Sequence, residues 1–183
     1  NQVTLISEDP TWEIEYNHGP AEWDTGRRLW ECREILDANF LLLYSDNFSQ
    51  FNLDKLMELH TKEQATLSLL LAEKNNGNIR ISPRGRIVDY DKDRQRQSLN
   101  FVEIGYMLVE RDLVFLVYDD IPNMPDINFS EIIKSLVDRK QISGLVIKEP
   151  YYSISDIDRL ELMRKYLKPK KIILIDRDGV INV

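Results

Sequence analysis

The residues best suited to chemistry stand near the end of the chain. Four aliphatic residues, 172–175, are followed at once by Asp176, Arg177, Asp178 and Gly179. This spacing predicts a strand whose two carboxylates face the crevice where open α/β sheets bind ligands. There, one carboxylate can attack phosphorus while Mg²⁺ neutralises the charge, and the other can protonate a leaving oxygen. The alternative is a strand that ends in an ordinary Asp/Gly turn.

A second group of candidate residues lies in the body of the chain. Asp46 follows an apolar run at 40–44, where its carboxylate could hold a metal ion on phosphate oxygens or simply cap the turn. Thr25 and Gly26 open a predicted helix whose free N–H groups could bind an anion, because glycine lets the backbone approach a ligand closely. Glu103 could accept hydrogen bonds from two ligand hydroxyls, or it could be an exposed strand residue.

The elements that must position these residues alternate between helix and strand. Helical spacing of the apolar residues predicts helices at 25–36, 53–62, 129–139 and 155–167, the last capped by Ser155. Apolar runs predict strands at 40–44, 66–72, 101–109 and 145–147, and a hairpin with its turn at 83–85. The continuous run at 40–44 predicts a strand covered on both faces of a parallel sheet. The order predicts an α/β fold with a mostly parallel sheet and an inserted β-hairpin.

Composition narrows the class of protein. The chain has 183 residues and a formal net charge of −7, which disfavours nucleic acid as a partner because a phosphate backbone rewards a dense basic surface. Its single cysteine, Cys32, excludes an internal disulfide and fits a reducing cytoplasm. No apolar run reaches the roughly 18 residues of a membrane span, so no membrane partner is expected. A homo-oligomer is left open.

The C-terminal segment resembles motif I of the haloacid-dehalogenase (HAD) phosphatases, aspartate–x–aspartate–glycine. The sequence of this segment is most similar to that of the family branch that removes the 7-phosphate from heptose bisphosphates. The resemblance implies that Asp176 is the nucleophile, that Asp178 is the acid/base, and that both lie at the Mg²⁺ site. The later motifs of that family are not found before Val183. We therefore expect a linker at 168–171 and, at 172–183, the first strand and motif I of a HAD phosphatase domain.

Residues 12–167 resemble the sugar-phosphate nucleotidyltransferases, which join a sugar 1-phosphate to a nucleoside triphosphate and release pyrophosphate. The matching motifs, in chain order, are Asp24-Thr25-Gly26, the strand that ends in Ser45-Asp46, and Glu103-Ile104-Gly105-Tyr106. The resemblance implies a Rossmann-like sheet within residues 1–167 and Mg²⁺ bound by Asp46. It also implies that Thr25, Gly26, Glu103 and Gly105 hold the nucleotide and the sugar phosphate. Family analogy alone favours GTP over ATP or CTP.

Two departures from that family leave alternatives open. Ser153 stands where most members have a second metal-binding aspartate, and Asp156, three residues on, could substitute for it. The Gly-rich loop G-x-G-x-R and the Lys-Pro pair, which bind the triphosphate in the family, are not found. The sheet is therefore expected to be incomplete at its N-terminus. Either these motifs lie upstream of Asn1 or the chain cannot catalyse the transfer.

Three hypotheses follow. The favoured one is part of a bifunctional enzyme that makes a nucleotide-activated heptose or mannose-like sugar for surface polysaccharide such as lipopolysaccharide. The second is a non-catalytic nucleotidyltransferase-like domain that binds a nucleotide sugar or a partner and regulates the phosphatase. The third is a HAD hydrolase whose N-terminal region is a scaffold. In each case, the 183 residues by themselves are expected to show neither nucleotidyltransferase nor phosphatase turnover.

Overall fold

The computed structural model describes residues 17–113 and 127–168 of the chain. The strands there are β1 (Asn39–Leu43), β2 (Asn47–Ser49), β3 (Leu67–Glu73), β4 (Ile79–Ile81), β5 (Ile87–Tyr90), β6 (Phe101–Glu110), β7 (Ile142–Val146) and β8 (Tyr151–Ser153). The helices used below are α1 (Thr25–Glu31), α2 (Leu53–Glu63), α3 (Phe129–Arg139) and α4 (Ile157–Leu167). The predicted strand at 172–175, with Asp176 and Asp178, lies outside the described residues. None of the described helices is long and apolar enough to cross a membrane.

The central sheet has six strands. Hydrogen-bonded neighbours follow the order β5-β4-β6-β3-β7, and β1 also pairs with β6. β3 and β7 are parallel, whereas β6 runs antiparallel to β1, β3 and β4. The strands β1, β3, β4 and β7 therefore share one direction, in agreement with the predicted mostly parallel α/β sheet. β4 and β5 form the predicted hairpin.

Two apolar layers cover opposite faces of the sheet, because side chains alternate along each strand. On one face, Leu67, Leu69 and Leu71 of β3 pack with residues of α1 and α3. On the other face, Leu70 packs with Leu56 of α2. β6 alternates in the same way, since its even-numbered residues from 102 to 108 belong to the α2 layer. Its odd-numbered residues, which include the predicted site residues, therefore lie on the α1 and α3 face.

One expectation about the apolar run at 40–44 differs from the structure. It forms β1 as predicted, but its hydrogen-bonded neighbour among the described residues is the antiparallel strand β6. Leu41 and Leu43 are 37% and 50% exposed, whereas Phe40 and Leu42 pack on the α1 and α3 layer. The expectation of a strand covered on both faces in a parallel pairing is thus wrong for the described part of the chain, where the α2 layer does not include Leu41 or Leu43.

Two helix boundaries also differ from the prediction. The helix expected at 25–36 ends at Glu31, after which the N–H of Arg33 donates to the Trp30 carbonyl in a tighter, three-residue turn. The last helix is capped by Asp156 instead of Ser155, since the Asp156 Oδ1 accepts the Arg159 N–H at 2.8 Å. A carboxylate at a helix N-cap is also favoured by the helix dipole.

Candidate functional site

Asp46 lies directly after the C-terminal end of β1. The Tyr44 N–H donates to the Gly105 carbonyl at 2.8 Å, which ties the end of β1 to β6. Past this point the chain enters β2, which pairs with β8 so that Asn47 lies opposite Ser153. The Ile154 N–H donates to the Asp46 carbonyl at 2.7 Å. The structure therefore brings the Asp46 segment and the Ser153 segment side by side, although Ser153 stands 106 positions after Asn47 in the sequence.

Gly105 makes room for the side chains that follow β1. Its φ of +78° lies in the left-handed region that favours glycine. A Cβ built there would lie 2.5 Å from Asn47 Nδ2 and 2.9 Å from Tyr44 Cβ, distances that real side chains do not adopt. The register of β6 against β3 also shifts here, because Leu69 pairs with Met107 but Leu71 pairs with Glu103. This bulge redirects the segment that carries the predicted site residues.

Glu103 is a half-buried carboxylate on the same face of β6. Its Oε2 accepts a hydrogen bond from Asn78 Nδ2 at 3.4 Å. Burial raises the pKa of Glu103, because a buried carboxyl loses the solvation of its charged form, and the charges of Arg94 and Lys74 oppose that effect in part. Asn78 is only 4% exposed, and its Oδ1 has no hydrogen-bond partner among the described residues.

Tyr44 follows the last residue of β1 and packs over Gly105. Burial, together with the negative charges of Glu103, Asp24 and Asp46, raises the pKa of Tyr44 to about 12. We call Asp24, Tyr44, Asp46 and Glu103 the acidic group. Burial also raises the pKa of Tyr90, at the end of β5, to about 12, with Glu103 again contributing. Tyr44 thus stands two residues before Asp46 and packs against the strand that carries Glu103.

The start of α1 is organised by Asp24. Its Oδ1 accepts the Thr25 N–H at 2.6 Å, and its Oδ2 accepts a hydrogen bond from Asn128 Nδ2 at 2.9 Å. The Thr25 N–H contributes most to holding the pKa of Asp24 below its ordinary value, and the charge of Lys92 adds to this. A carboxylate therefore already occupies the position where the sequence suggested an anion could bind.

Gly26 permits a close approach within the protein. A Cβ at Gly26 would lie 2.4 Å from the carbonyl oxygen of Ile127, just before α3. The Phe129 N–H lies 3.4 Å from Thr25 Oγ1, which also ties α1 to α3. These contacts give Thr25 and Gly26 a packing role, and their role as ligand contacts stays a prediction.

Asp156 is engaged at the start of α4. Besides capping that helix, its Oδ2 lies 3.4 Å from Arg159 Nε, and Arg159 Nη1 donates to Ser153 Oγ at 2.7 Å. Among residues 17–113 and 127–168, no group of three or more His, Cys, Asp or Glu side chains is arranged to hold a metal ion. The structure thus offers Asp46 without a completed set of protein ligands.

A cavity of about 670 Å³ adjoins the acidic group. Thr25, Tyr44 and Asp46 line it. The remaining lining residues are Arg28, Leu29, Cys32, Leu36, Phe40, Leu41, Leu42, Leu43, Ser45 and Phe129. A ligand in this space would therefore meet an apolar wall and the polar end of β1.

Sequence reasoning missed three residues near the site. Tyr44 was counted only as the end of an apolar run, and its position two residues before Asp46 was the signal available. Lys92 and Arg94 are exposed on the loop after β5, and their charges act on Asp24 and Glu103 respectively. No motif marks them, because the hairpin carries them to the site from a distant part of the sequence.

The solved structures that resemble this chain share one fold. No protein-family profile and no curated protein sequence matches the chain. Among solved structures, a protein assigned as a glucose-1-phosphate thymidylyltransferase from Bacillus anthracis, in complex with sucrose, matches with a TM-score of 0.72 and 11% identity, covering 87% of this chain and 67% of that one. HddC from Yersinia pseudotuberculosis matches with a TM-score of 0.59 and 14% identity over 79% and 63%.

A UTP-bound UGPase from Acinetobacter baumannii matches with a TM-score of 0.59 and 15% identity, covering 77% of this chain and 55% of that one. The chain therefore spans about two thirds or less of the length of these structures. Identities of 11–15% establish the architecture alone. On that evidence, the chain has the mixed α/β, Rossmann-like fold of nucleotidyltransferase structures.

Proposed function

We propose that this chain is part of an enzyme that transfers a nucleotidyl group to a sugar 1-phosphate. The observation that carries the proposal is the position of Asp46 just past the C-terminal end of β1, which the hydrogen bond from Tyr44 N–H to the Gly105 carbonyl ties to the strand that carries Glu103. In open α/β sheets ligands bind at the carboxyl ends of the strands, which is where Asp46 lies. The likeness to nucleotidyltransferase structures supports the same assignment.

The residues present fit a weakly coordinated magnesium ion. Mg²⁺ keeps several waters and binds through one or two carboxylates together with substrate phosphates, so the exposed carboxylate of Asp46 suffices for such a site. When bound, the ion would supply charge neutralisation at the reacting phosphates. Asp46 would hold and orient it.

The remaining groups suit a sugar phosphate. Glu103 can accept hydrogen bonds from ring hydroxyls, because its carboxylate has four lone-pair positions and the Asn78 side chain occupies one of them. Lys92 and Arg94 are exposed cations at the rim that can attract a single phosphate. The acidic group and this cationic rim thus complement the two ends of a sugar 1-phosphate.

The sugar, the nucleotide and a fused phosphatase complete the proposal. The sugar is proposed to be of the heptose or mannose type, and the nucleotide GTP in preference to ATP or CTP. Asp176 and Asp178 are proposed to begin a fused, Mg²⁺-dependent HAD phosphatase that acts on a sugar bisphosphate. We expect the full-length parent to show at least the phosphatase activity, and Asp176→Asn to abolish it.

A second candidate function is a non-catalytic binding or regulatory domain attached to the phosphatase. Ser153 favours it, because the residue beside the Asp46 segment carries a hydroxyl that accepts from Arg159 instead of a second carboxylate. The two candidates share ligand binding and differ in turnover. Pyrophosphate release by the full-length parent from GTP, ATP or CTP with mannose or heptose 1-phosphate separates them.

Metal binding by the 183-residue chain tests what both candidates share. Paramagnetic Mn²⁺, added with GTP, should broaden the NMR signals of residues around Asp46 and Tyr44. Asp46→Asn should abolish this broadening, whereas Asp158→Asn, which removes an exposed carboxylate on α4, should leave it intact. Equal broadening in all three proteins would refute the metal role of Asp46.

A further inference from the structure

A buried histidine on α2 is held by a chain of hydroxyl groups in the sheet. His60 is only 7% exposed, and its Nδ1 lies 2.7 Å from Ser68 Oγ. Ser68 Oγ in turn lies 2.6 Å from Ser143 Oγ, and the two serines are fully buried at paired positions of β3 and β7. Hydrogen bonds of this kind fix the plane of an imidazole ring. The candidate site near Asp46 uses none of these three residues.

The other ring nitrogen of His60 has no hydrogen bond within residues 17–113 and 127–168. His60 lines a cavity of about 600 Å³, which Glu110 at the end of β6 also lines. Glu110 Oε1 lies 3.6 Å from His60 Nε2, which is too long for an N–H···O hydrogen bond. Because buried polar atoms are nearly always hydrogen-bonded, the gap between these two atoms suits a third group that contacts both.

The separation of the two atoms matches two ligands of one zinc ion. Zinc binds imidazole nitrogen and carboxylate oxygen at about 2.0–2.2 Å in tetrahedral geometry, so two such ligands lie roughly 3.4 Å apart. The observed separation of His60 Nε2 and Glu110 Oε1 is 3.6 Å. When Nδ1 donates its proton to Ser68 Oγ, Nε2 presents its lone pair to the cavity, and metal-binding histidines are generally oriented by such a bond from the second ring nitrogen.

The same cavity offers neutral oxygen ligands. Asn39, Thr61 and Gln64 line it beside His60 and Glu110. Within the part of the chain that the structure describes, no third His, Cys, Asp or Glu side chain joins such a group. Water and these neutral oxygens would therefore complete the coordination of an ion.

We propose that His60 Nε2 and the Glu110 carboxylate bind a divalent transition-metal ion, Zn²⁺, in the cavity between α2 and β6. Asn39 begins β1 and pairs with Glu110, whereas Asp46 follows the other end of β1. The site therefore lies at the opposite edge of the sheet from the proposed magnesium site and is independent of the proposed function. Zn²⁺ there would link the last turn of α2 to the end of β6, and an ion that binds only the folded chain stabilises it.

Calorimetric titration of the 183-residue chain with ZnCl₂ tests the proposal. Millimolar MgCl₂ in the buffer competes at sites made of oxygen ligands alone, which Mg²⁺ prefers, and a Cys32→Ser background removes the thiol, a group that also binds zinc. We expect one Zn²⁺ per chain and a higher melting temperature when it is bound. His60→Gln and Glu110→Gln should each weaken binding by at least about tenfold, since losing even an outer partner of a ligand costs about 10–100-fold.

Glu58→Gln and His18→Gln are the matched controls, because each removes an exposed group of the same kind, the first on α2 itself. Neither should change the affinity for Zn²⁺. The Glu110 side chain is 42% exposed, so Glu110→Gln remains a usable test if His60→Gln does not fold. Zinc binding that survives Glu110→Gln, or that Glu58→Gln weakens equally, would overturn the proposal. Absence of zinc binding by the unsubstituted pair would also overturn it and leave His60 and Glu110 as an ion pair only.

Discussion

Replacing Gly105 with alanine tests the geometry on which the candidate site depends. Gly105 has a φ of +78°, and an alanine methyl there would lie 2.5 Å from Asn47 Nδ2 and 2.9 Å from Tyr44 Cβ. We expect two contributions to the loss of folding free energy. The left-handed backbone costs a residue with a Cβ about 1–2 kcal/mol, and forcing an extra methyl into packed space adds about 1–3 kcal/mol.

Gly85→Ala is the matched control. Gly85 has a φ of +87° in the hairpin turn, so it shares the backbone cost. Its added methyl would meet Leu59 Cδ1 at 3.1 Å, the end of a flexible side chain that can move. For a chain of this size about 1 kcal/mol shifts the melting temperature by roughly 2–4 °C. The Gly85 variant should therefore melt about 2–8 °C below wild type, and the Gly105 variant about 4–20 °C below.

Thermal unfolding followed by circular dichroism measures both shifts. A second substitution, Asn47→Ala, removes the nitrogen that the new methyl would strike first, so it should restore part of the loss in the Gly105 variant and none of it in the Gly85 variant. Equal melting temperatures for the two glycine variants would show that the tyrosine does not pack over Gly105. Absence of rescue would show that Asn47 is not the neighbour that matters.

Three further substitutions test other parts of the molecule. Asn52→Ala removes the oxygen that accepts the Lys55 N–H at 3.0 Å, and urea unfolding should show a loss of about 1 kcal/mol. The folded pKa of Glu103 lies above its ordinary 4.5, so wild-type stability should fall relative to Glu103→Gln as pH rises from 4.5 through that pKa, and melting curves should converge below 4.5. Burial lowers the folded pKa of His60 below 6.5, so melting temperature should drop as pH falls from 6.5, and His60→Gln should flatten that slope.

The size of the stability difference between wild type and Glu103→Gln follows from proton linkage. Each tenfold change in proton affinity between the folded and unfolded states corresponds to about 1.4 kcal/mol of stability. A buried carboxyl whose charged form the fold disfavours fits a functional role, since stabilising changes at active sites often reduce activity. A gap between wild type and Glu103→Gln that stays constant from pH 4 to pH 8 would contradict this explanation.

The local elements could be predicted from the sequence where one pattern determines them. The run from Leu67 to Ala72 is apolar at nearly every position and forms the fully covered strand β3. Residues 129–139 place apolar side chains on one helical side and form α3 with the bounds expected. In both cases burial against the sheet is the main stabilising term, and the hydrophobic period records it directly.

The candidate site could be predicted only in part, because distant contacts assemble it. Asp46 was recognisable from its place after an apolar strand. The β2–β8 ribbon was missed, because each strand has three residues and Phe48 pairs in register with Tyr152 across about 100 positions of the sequence. Gly26 is predicted to be a ligand contact, which stays a prediction, and the group that approaches it within the described residues is the Ile127 backbone. A glycine in the sequence indicates that another group approaches the backbone closely, but it does not distinguish a ligand from another part of the protein.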